Sequence, residues 1–165
     1  MTDFEIMRQA LRQADIARRR QEVPIGAVVV LDGKIIATGF NSVIASSDPT
    51  AHAEIVAIRN ACGLLGNYRL PEAELFVTIE PCAMCAGAII HARIRRLVYG
   101  ASEYRTGAAG SVFSILQGGL LNHKTEISGG ILEDECRRIM QDFFRERREA
   151  QKAAKKHMEA GDEDE

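Results

Sequence analysis

What the chain lacks narrows the field first. No apolar run approaches the roughly 20 residues of a membrane-spanning helix, and Met1-Thr2-Asp3-Phe4 carries an acid where a secretory leader would be apolar. Cysteine is scarce, with four in 165 residues and only one pair at CxxC spacing. That is too few for a disulfide framework and suits a reducing cytoplasm. There is no internal repeat and no linker, and no Gly-Lys-Ser/Thr follows the glycines at 107, 110, 118 and 119 to make a phosphate-binding loop. Net charge is small as well, at −2, but the charges are unevenly placed. From His157 onward there are five acids and no Lys or Arg, whereas 137–156 holds eight Lys and Arg against three acids. A basic run of this kind serves equally as a solvated helix face or as a footprint for a polyanion.

What remains reads as one α/β domain over 1–156, followed by an acidic tail at 157–165 expected to be disordered. Phe4, Met7, Leu11 and Ala14 mark a first amphipathic helix over 4–18. Two β-branched runs, 25–31 and 34–40, flank Asp32-Gly33, the strongest hairpin signal in the chain. A helix over 50–62 stopped by Gly63, a strand over 75–79, an almost wholly apolar helix over 82–92 and a strand over 96–100 come next. Residues 101–123 form a long Gly-rich loop with a short helix at 112–116, and a last strand at 124–128 precedes the final helix. That helix has Leu132, Cys136, Ile139, Met140 and Phe143 at core spacing, with Phe144 placed in the core as well; beyond it the helix projects. Helices between strands after an initial hairpin predict a mixed sheet, antiparallel at first and then parallel in βαβ units.

Two short stretches carry the chemistry: His52-Ala53-Glu54 and Pro81-Cys82-Ala83-Met84-Cys85. Two thiolates neutralise a zinc ion, an imidazole gives the third ligand, and the fourth tetrahedral position stays open for a water whose pKa falls to roughly 7. Glu54 is then free to move protons. Pro81 suits a helix start, where the dipole favours thiolate, and Asp48-Pro49-Thr50 signals another helix start before His52. A CxxC alone is also compatible with a redox pair or with half of a structural zinc site. The other His and Cys (Cys62, Cys136, His91, His123, His157) supply no second CxxC or HxxxH. One geometric tension follows. Positions i and i+2 of a helix point about 200° apart, so His52 and Glu54 meet one ion only if it lies over the first turn. Pro24 and Asn41 fall at the rims of the hairpin strands, within reach of a ligand at the sheet edge.

These motifs resemble the cytidine/deoxycytidylate deaminase superfamily, whose signature is H-x-E with P-C-x-x-C. The likeness extends to Val23-Pro24-Ile25-Gly26-Ala27-Val28, to the whole of 48–54 and of Glu80-Pro81-Cys82-Ala83-Met84-Cys85-Ala86-Gly87-Ala88, and to Asn67-Tyr68-Arg69-Leu70, Thr106-Gly107-Ala108-Ala109-Gly110-Ser111 and Asp142-Phe143-Phe144-Arg145, covering about 5–150. These stretches point to the branch that acts on tRNA adenosine. The resemblance implies a three-layer α/β/α fold around a central mixed five-stranded sheet. It implies one zinc per subunit on His52, Cys82 and Cys85, with Glu54 as proton shuttle. It further implies a cytoplasmic homodimer that deaminates the wobble adenosine of a tRNA anticodon stem-loop to inosine. Asn41 and the Ala53 N–H would face the flipped base, and Pro24, Glu103, Asn122, His123, Phe144 and Arg147 would meet the RNA. Glu103 stands where the best-known members carry an Asp. A zinc deaminase of free cytidine or guanine shares the same metal motif and is the alternative.

Overall fold

Thr2 and Glu5 cap the first helix reciprocally. In the computed structural model, which describes residues 1–118 and 123–163, the Thr2 hydroxyl accepts the Glu5 N–H at 3.2 Å and the Glu5 carboxylate accepts the Thr2 N–H at 2.8 Å. This capping box satisfies two otherwise orphaned donors and starts α1 (Asp3–Arg19), whose buried stripe is Ile6, Met7, Ala10, Ala14 and Ala17. Phe4, assigned to that stripe by its period, is 55% exposed. β1 (Gly26–Leu31) and β2 (Lys34–Phe40) form the expected hairpin. Asp32 and Gly33 take positive φ of 51° and 74°, the two left-handed residues of a type I′ turn.

α2 (Ala53–Leu65), β3 (Glu74–Ile79), α3 (Ala83–His91), β4 (Arg96–Ala101), β5 (Glu126–Ser128) and α4 (Glu133–Glu163) follow. The strand order is β2-β1-β3-β4-β5; β1 runs antiparallel to both neighbours, while β3, β4 and β5 are parallel. This is the mixed five-stranded sheet expected from the alternation of elements. Val28, Val30, Phe76 and Val98 face α1 and the start of α4, and Ala27, Val29, Leu75, Val77 and Leu97 face α2 and α3. With both faces covered, β1 and β3 are buried along nearly their whole length rather than alternating, and β1 is apolar throughout. Among the described residues no helix is long and apolar enough to cross a membrane.

Several boundaries differ from the sequence reading. Asp48 accepts the Thr50 N–H at 2.8 Å and its hydroxyl at 2.7 Å, so the capping signal there builds an Asx turn two residues before α2, which begins at Ala53. α2 does not stop at Gly63 but at Gly66, whose φ of 63° is the left-handed cap that glycine tolerates best. No helix forms at 112–116. There the loop closes on itself through the Gly110 and Phe113 backbone and an Ala109–Ser114 bridge. The last strand begins at Glu126 rather than Lys124. The tail from His157 is helical as far as Glu163, because the Ala, Lys and Glu that precede it are strong helix formers and propagation costs little once a helix exists. Past Phe143 every described residue of α4 is exposed, the projection expected from the loss of its apolar stripe.

Candidate active site

Two helices begin at one place. His52 is the N-cap of α2 and Cys82 the N-cap of α3; both have extended backbone, with φ/ψ of −67°/153° and −75°/177°, and neither side chain caps its own helix. Both turn instead toward a common point, which Cys85 reaches from the first turn of α3. The Sγ atoms of Cys82 and Cys85 each lie 3.6 Å from His52 Nδ1, and all three donor atoms fall within 4.8 Å of one another. The i, i+2 tension disappears because His52 precedes α2 while Glu54 lies inside its first turn.

The donor geometry fits zinc. Bonds of about 2.3 Å to sulfur and about 2.0–2.1 Å to nitrogen, meeting at a tetrahedral angle, place S and N roughly 3.6 Å apart, the separation found. Two thiols at a helix N-terminus are also in the right field to ionise. The hydrogen bond with Cys85, assisted by His52, holds the Cys82 thiol down at about 3 against the cost of burial. The same bond pushes Cys85 above the ordinary thiol range. His52 is raised, chiefly by its hydrogen bond to Cys82. Glu54 is 3% exposed, and burial raises its carboxyl above the usual range, so it takes up a proton more readily than a surface carboxylate does.

A cleft of about 650 Å³ opens above these residues. His52, Glu54 and Cys82 form its floor, beside Ile79 and Ala101 at the carboxyl ends of β3 and β4, where open α/β sheets place ligands. Glu103, Arg105 and Thr106 make one wall. The other wall is α4, through Arg137, Met140, Gln141, Phe144 and Arg148. Glu103 and Phe144 therefore both line the cleft, and Phe144 is 39% exposed. Of the two rings expected in the core only Phe143, 5% exposed, is there; Phe144, one residue on, turns about 100° away toward the cleft. Pro24 is buried between Val23 and Ile25, two cleft residues. Asn41, 5% exposed, stands at the end of β2 with its Nδ2 3.4 Å from the Val23 carbonyl. Ala53 is the fully buried first residue of α2.

Pro24, Asn41 and Ala53 thus adjoin cleft residues without lining the cleft themselves, and His123 and Arg147 stand apart from it. His123 Nε2 lies 2.7 Å from the Ile94 carbonyl, at the turn into β4. Arg147 stacks its guanidinium over the Phe143 ring at 5.6 Å and lines a separate recess with Arg18, Arg19 and Gln21. It is Arg148, i+4 from Phe144, that reaches the cleft, and helical spacing from Gln141 and Phe144 was the signal that could have picked it. Asn122 lies outside the described residues.

Glu80 was missed altogether. It is 2% exposed, and its carboxylate accepts N–H bonds from Glu103 at 3.1 Å, Ala109 at 2.9 Å and Ser111 at 3.1 Å, together with the Ser111 hydroxyl. Burial alone would raise its pKa, but the donors from Ser111, Ala109 and Glu103 outweigh burial and lower it. Glu80 opens the Glu80–Ala88 stretch that carries the family resemblance, but a Glu between a strand and a Pro-Cys pair has no spacing that points to its partners, so sequence reasoning assigned it no role.

A His/Cys/Cys cluster at paired helix N-termini, with a buried carboxylate at the floor of a cleft, defines the hydrolytic deaminase class. A family model described as MafB19-like deaminase matches residues 1–148. The tRNA-specific adenosine deaminase of Haemophilus influenzae is 51% identical over 154 residues, 93% of this chain and 89% of that protein. A solved tRNA:A34 deaminase superposes with a TM-score of 0.80 at 48% identity, covering 82% of this chain and 98% of that one. A guanine deaminase from Bacillus subtilis superposes with a TM-score of 0.61 at 43% identity, covering 68% and 71%. The chain belongs to this deaminase family, in the branch of the tRNA-specific adenosine deaminases.

Proposed function

We propose that this protein is a zinc-dependent hydrolase that converts the wobble adenosine of a tRNA anticodon to inosine and releases ammonia, acting as a cytoplasmic homodimer. The observation that carries the substrate is the α4 wall. Phe144 offers a face for a nucleobase and Arg137 and Arg148 offer charge for a phosphate backbone, all opening on the same cleft as Glu54. An extruded base enters more easily from an anticodon loop than from a duplex, because less stacking is lost.

His52, Cys82 and Cys85 would hold the zinc, which when bound supplies the Lewis acidity that lets water ionise near neutral pH. Glu54 takes a proton from the attacking water and passes it to the purine N1 as C6 becomes tetrahedral; it then takes the proton of the new C6 hydroxyl and delivers it to the departing amine, leaving the C6 carbonyl of inosine and free ammonia. Its burial supports each transfer, since a carboxyl with a raised pKa both accepts and returns a proton at low cost. Asn41 and the Ala53 N–H would fix the base, and Glu103 would meet the RNA beside it.

Deamination of a free base is the second reading, favoured by the likeness to the guanine deaminase. Mass spectrometry of an adenosine-containing anticodon stem-loop, set against free adenosine, cytidine and guanine, separates the two. Inosine in the stem-loop alone is expected. Turnover restricted to a free base would overturn the proposal.

A further inference from the structure

The loop wall of the cleft has almost no apolar anchor of its own. Tyr104 is 72% exposed, Arg105 and Thr106 are exposed too, and only Gly107, Ala108 and Ala109 are buried. What this segment does have is a carboxylate to wind around. Among the described residues Glu80 receives four hydrogen bonds, all from residues 103–111 and none from a cation. The backbone on either side of its side chain is tied to the same region, with Glu80 N–H donating to the Ala101 carbonyl at 2.8 Å and Ala108 N–H to the Pro81 carbonyl at 2.8 Å. Gly107 passes so near that a Cβ there would stand 2.5 Å from Glu80 Cδ and Oε2, closer than any side-chain carbon tolerates.

A carboxylate has about four lone-pair sites, and here all are engaged, so Glu80 has no acceptor left for proton transfer and is no rival to Glu54. Its value lies in direction. Only Pro81 separates it from the Cys82 donor, and its oxygens fix the segment that carries Glu103, Arg105 and Thr106 into the cleft. We infer that Glu80 is the positioning residue of the loop wall and governs the grip on the polynucleotide rather than the bond-breaking step, an inference that rests on the reading of the cleft as an RNA site. A buried anion satisfied by four neutral donors is held rigidly, because losing any one donor leaves charge uncompensated in a dry place.

Two variants test this. Glu80→Gln keeps the shape but turns an amide N–H2 toward an N–H donor, and Ser111→Ala removes the hydroxyl donor alone. Zinc content, kcat and KM on the anticodon stem-loop, and amide hydrogen exchange over 103–111 are measured for each. Stem-loop affinity is read by fluorescence anisotropy with Glu54→Ala added. Both variants are expected to keep one zinc per chain, to hold kcat within about twofold and to exchange faster over 103–111. KM and Kd should rise together, roughly tenfold for Glu80→Gln, the scale of one lost charge-assisted hydrogen bond, and less for Ser111→Ala. A fall in kcat at unchanged KM and Kd, loss of zinc, or unchanged exchange over the loop overturns the inference while leaving the RNA reading intact. A wild-type protein inert on the stem-loop sinks both. If Glu80→Gln fails to fold, the same criteria apply to Ser111→Ala.

Discussion

Replacing Gly39 by Ala should loosen the metal centre from the opposite side of a helix. Gly39 lies in β2 beneath α2, and a Cβ at that position would stand 2.5 Å from the Ala53 carbonyl oxygen and 2.5 Å from the Ala57 nitrogen. Ordinary contact begins at 3.4 Å, so the helix must lift by about 0.9 Å, and the atoms in the way are backbone that cannot rotate aside. Overpacking of this kind costs about 1–3 kcal/mol, or roughly 4–8 °C in Tm at about 2 kcal/mol for a domain of this size. The larger effect is on zinc. Ala53 follows the His52 donor directly, whereas Cys82 and Cys85 ride on α3 and stay where they are. A site that demands distances within about 0.2 Å cannot absorb such a shift, and zinc affinity should fall at least tenfold, the order seen when a group that holds a metal ligand in place is lost.

Gly26→Ala is the control. Its Cβ would collide with the Ala10 oxygen and the Ala14 nitrogen of α1, a helix that carries no donor. It should cost as much stability as Gly39→Ala or more, and much less zinc. Urea unfolding gives the stability, and competition with a chromophoric chelator gives the affinity. If Gly39→Ala is destabilised yet binds zinc within twofold of the wild type, or if Gly26→Ala loses zinc equally, then the seat of α2 on β2 does not set the position of His52.

Glu54→Ala should retain zinc and stem-loop binding, because Glu54 is not a donor to the metal, and lose about 10²–10⁴ in kcat, the span of a general acid–base group; activity near the wild type in a single-turnover assay would remove its proton-transfer role. Arg148→Ala should weaken stem-loop binding and reduce the slope of log K against log salt by about one, as for one lost phosphate contact. Arg147→Ala, whose guanidinium covers Phe143, should leave that slope nearly unchanged, and a salt titration that reverses this order would contradict the orientation of α4.

The donors, the carboxylate and the sheet were legible in the sequence because each depends on local spacing. A DG pair between β-branched runs makes a hairpin wherever it falls, a CxxC at a Pro-initiated helix places two thiols on one turn, and an apolar β1 announces that both its faces are covered. Local rules did not reach the start of α2, expected at 50 and found at Ala53, and those three residues decide whether His52 belongs to the helix or caps it. Nor did they place the neighbours on α4: they named Arg147 where Arg148 reaches the cleft, and put Phe144 in the core beside Phe143. Those neighbours in sequence lie about 100° apart on α4, and which one faces the cleft depends on how the helix sits against β4.

The sequence by itself determined the chemistry available here, since residue type sets what can bind a metal or move a proton. Only the tertiary structure decided how substrate meets that chemistry. The cleft walls, at Glu103 to Thr106 and Arg137 to Arg148, lie 18 residues from the nearest donor (103 less 85) to 96 from the farthest (148 less 52). The Glu80 carboxylate that ties one wall in place finds its partners 23 to 31 residues along the chain. Such pairings arise from packing, where long-range contacts and exclusion of water fix directions that no local pattern encodes.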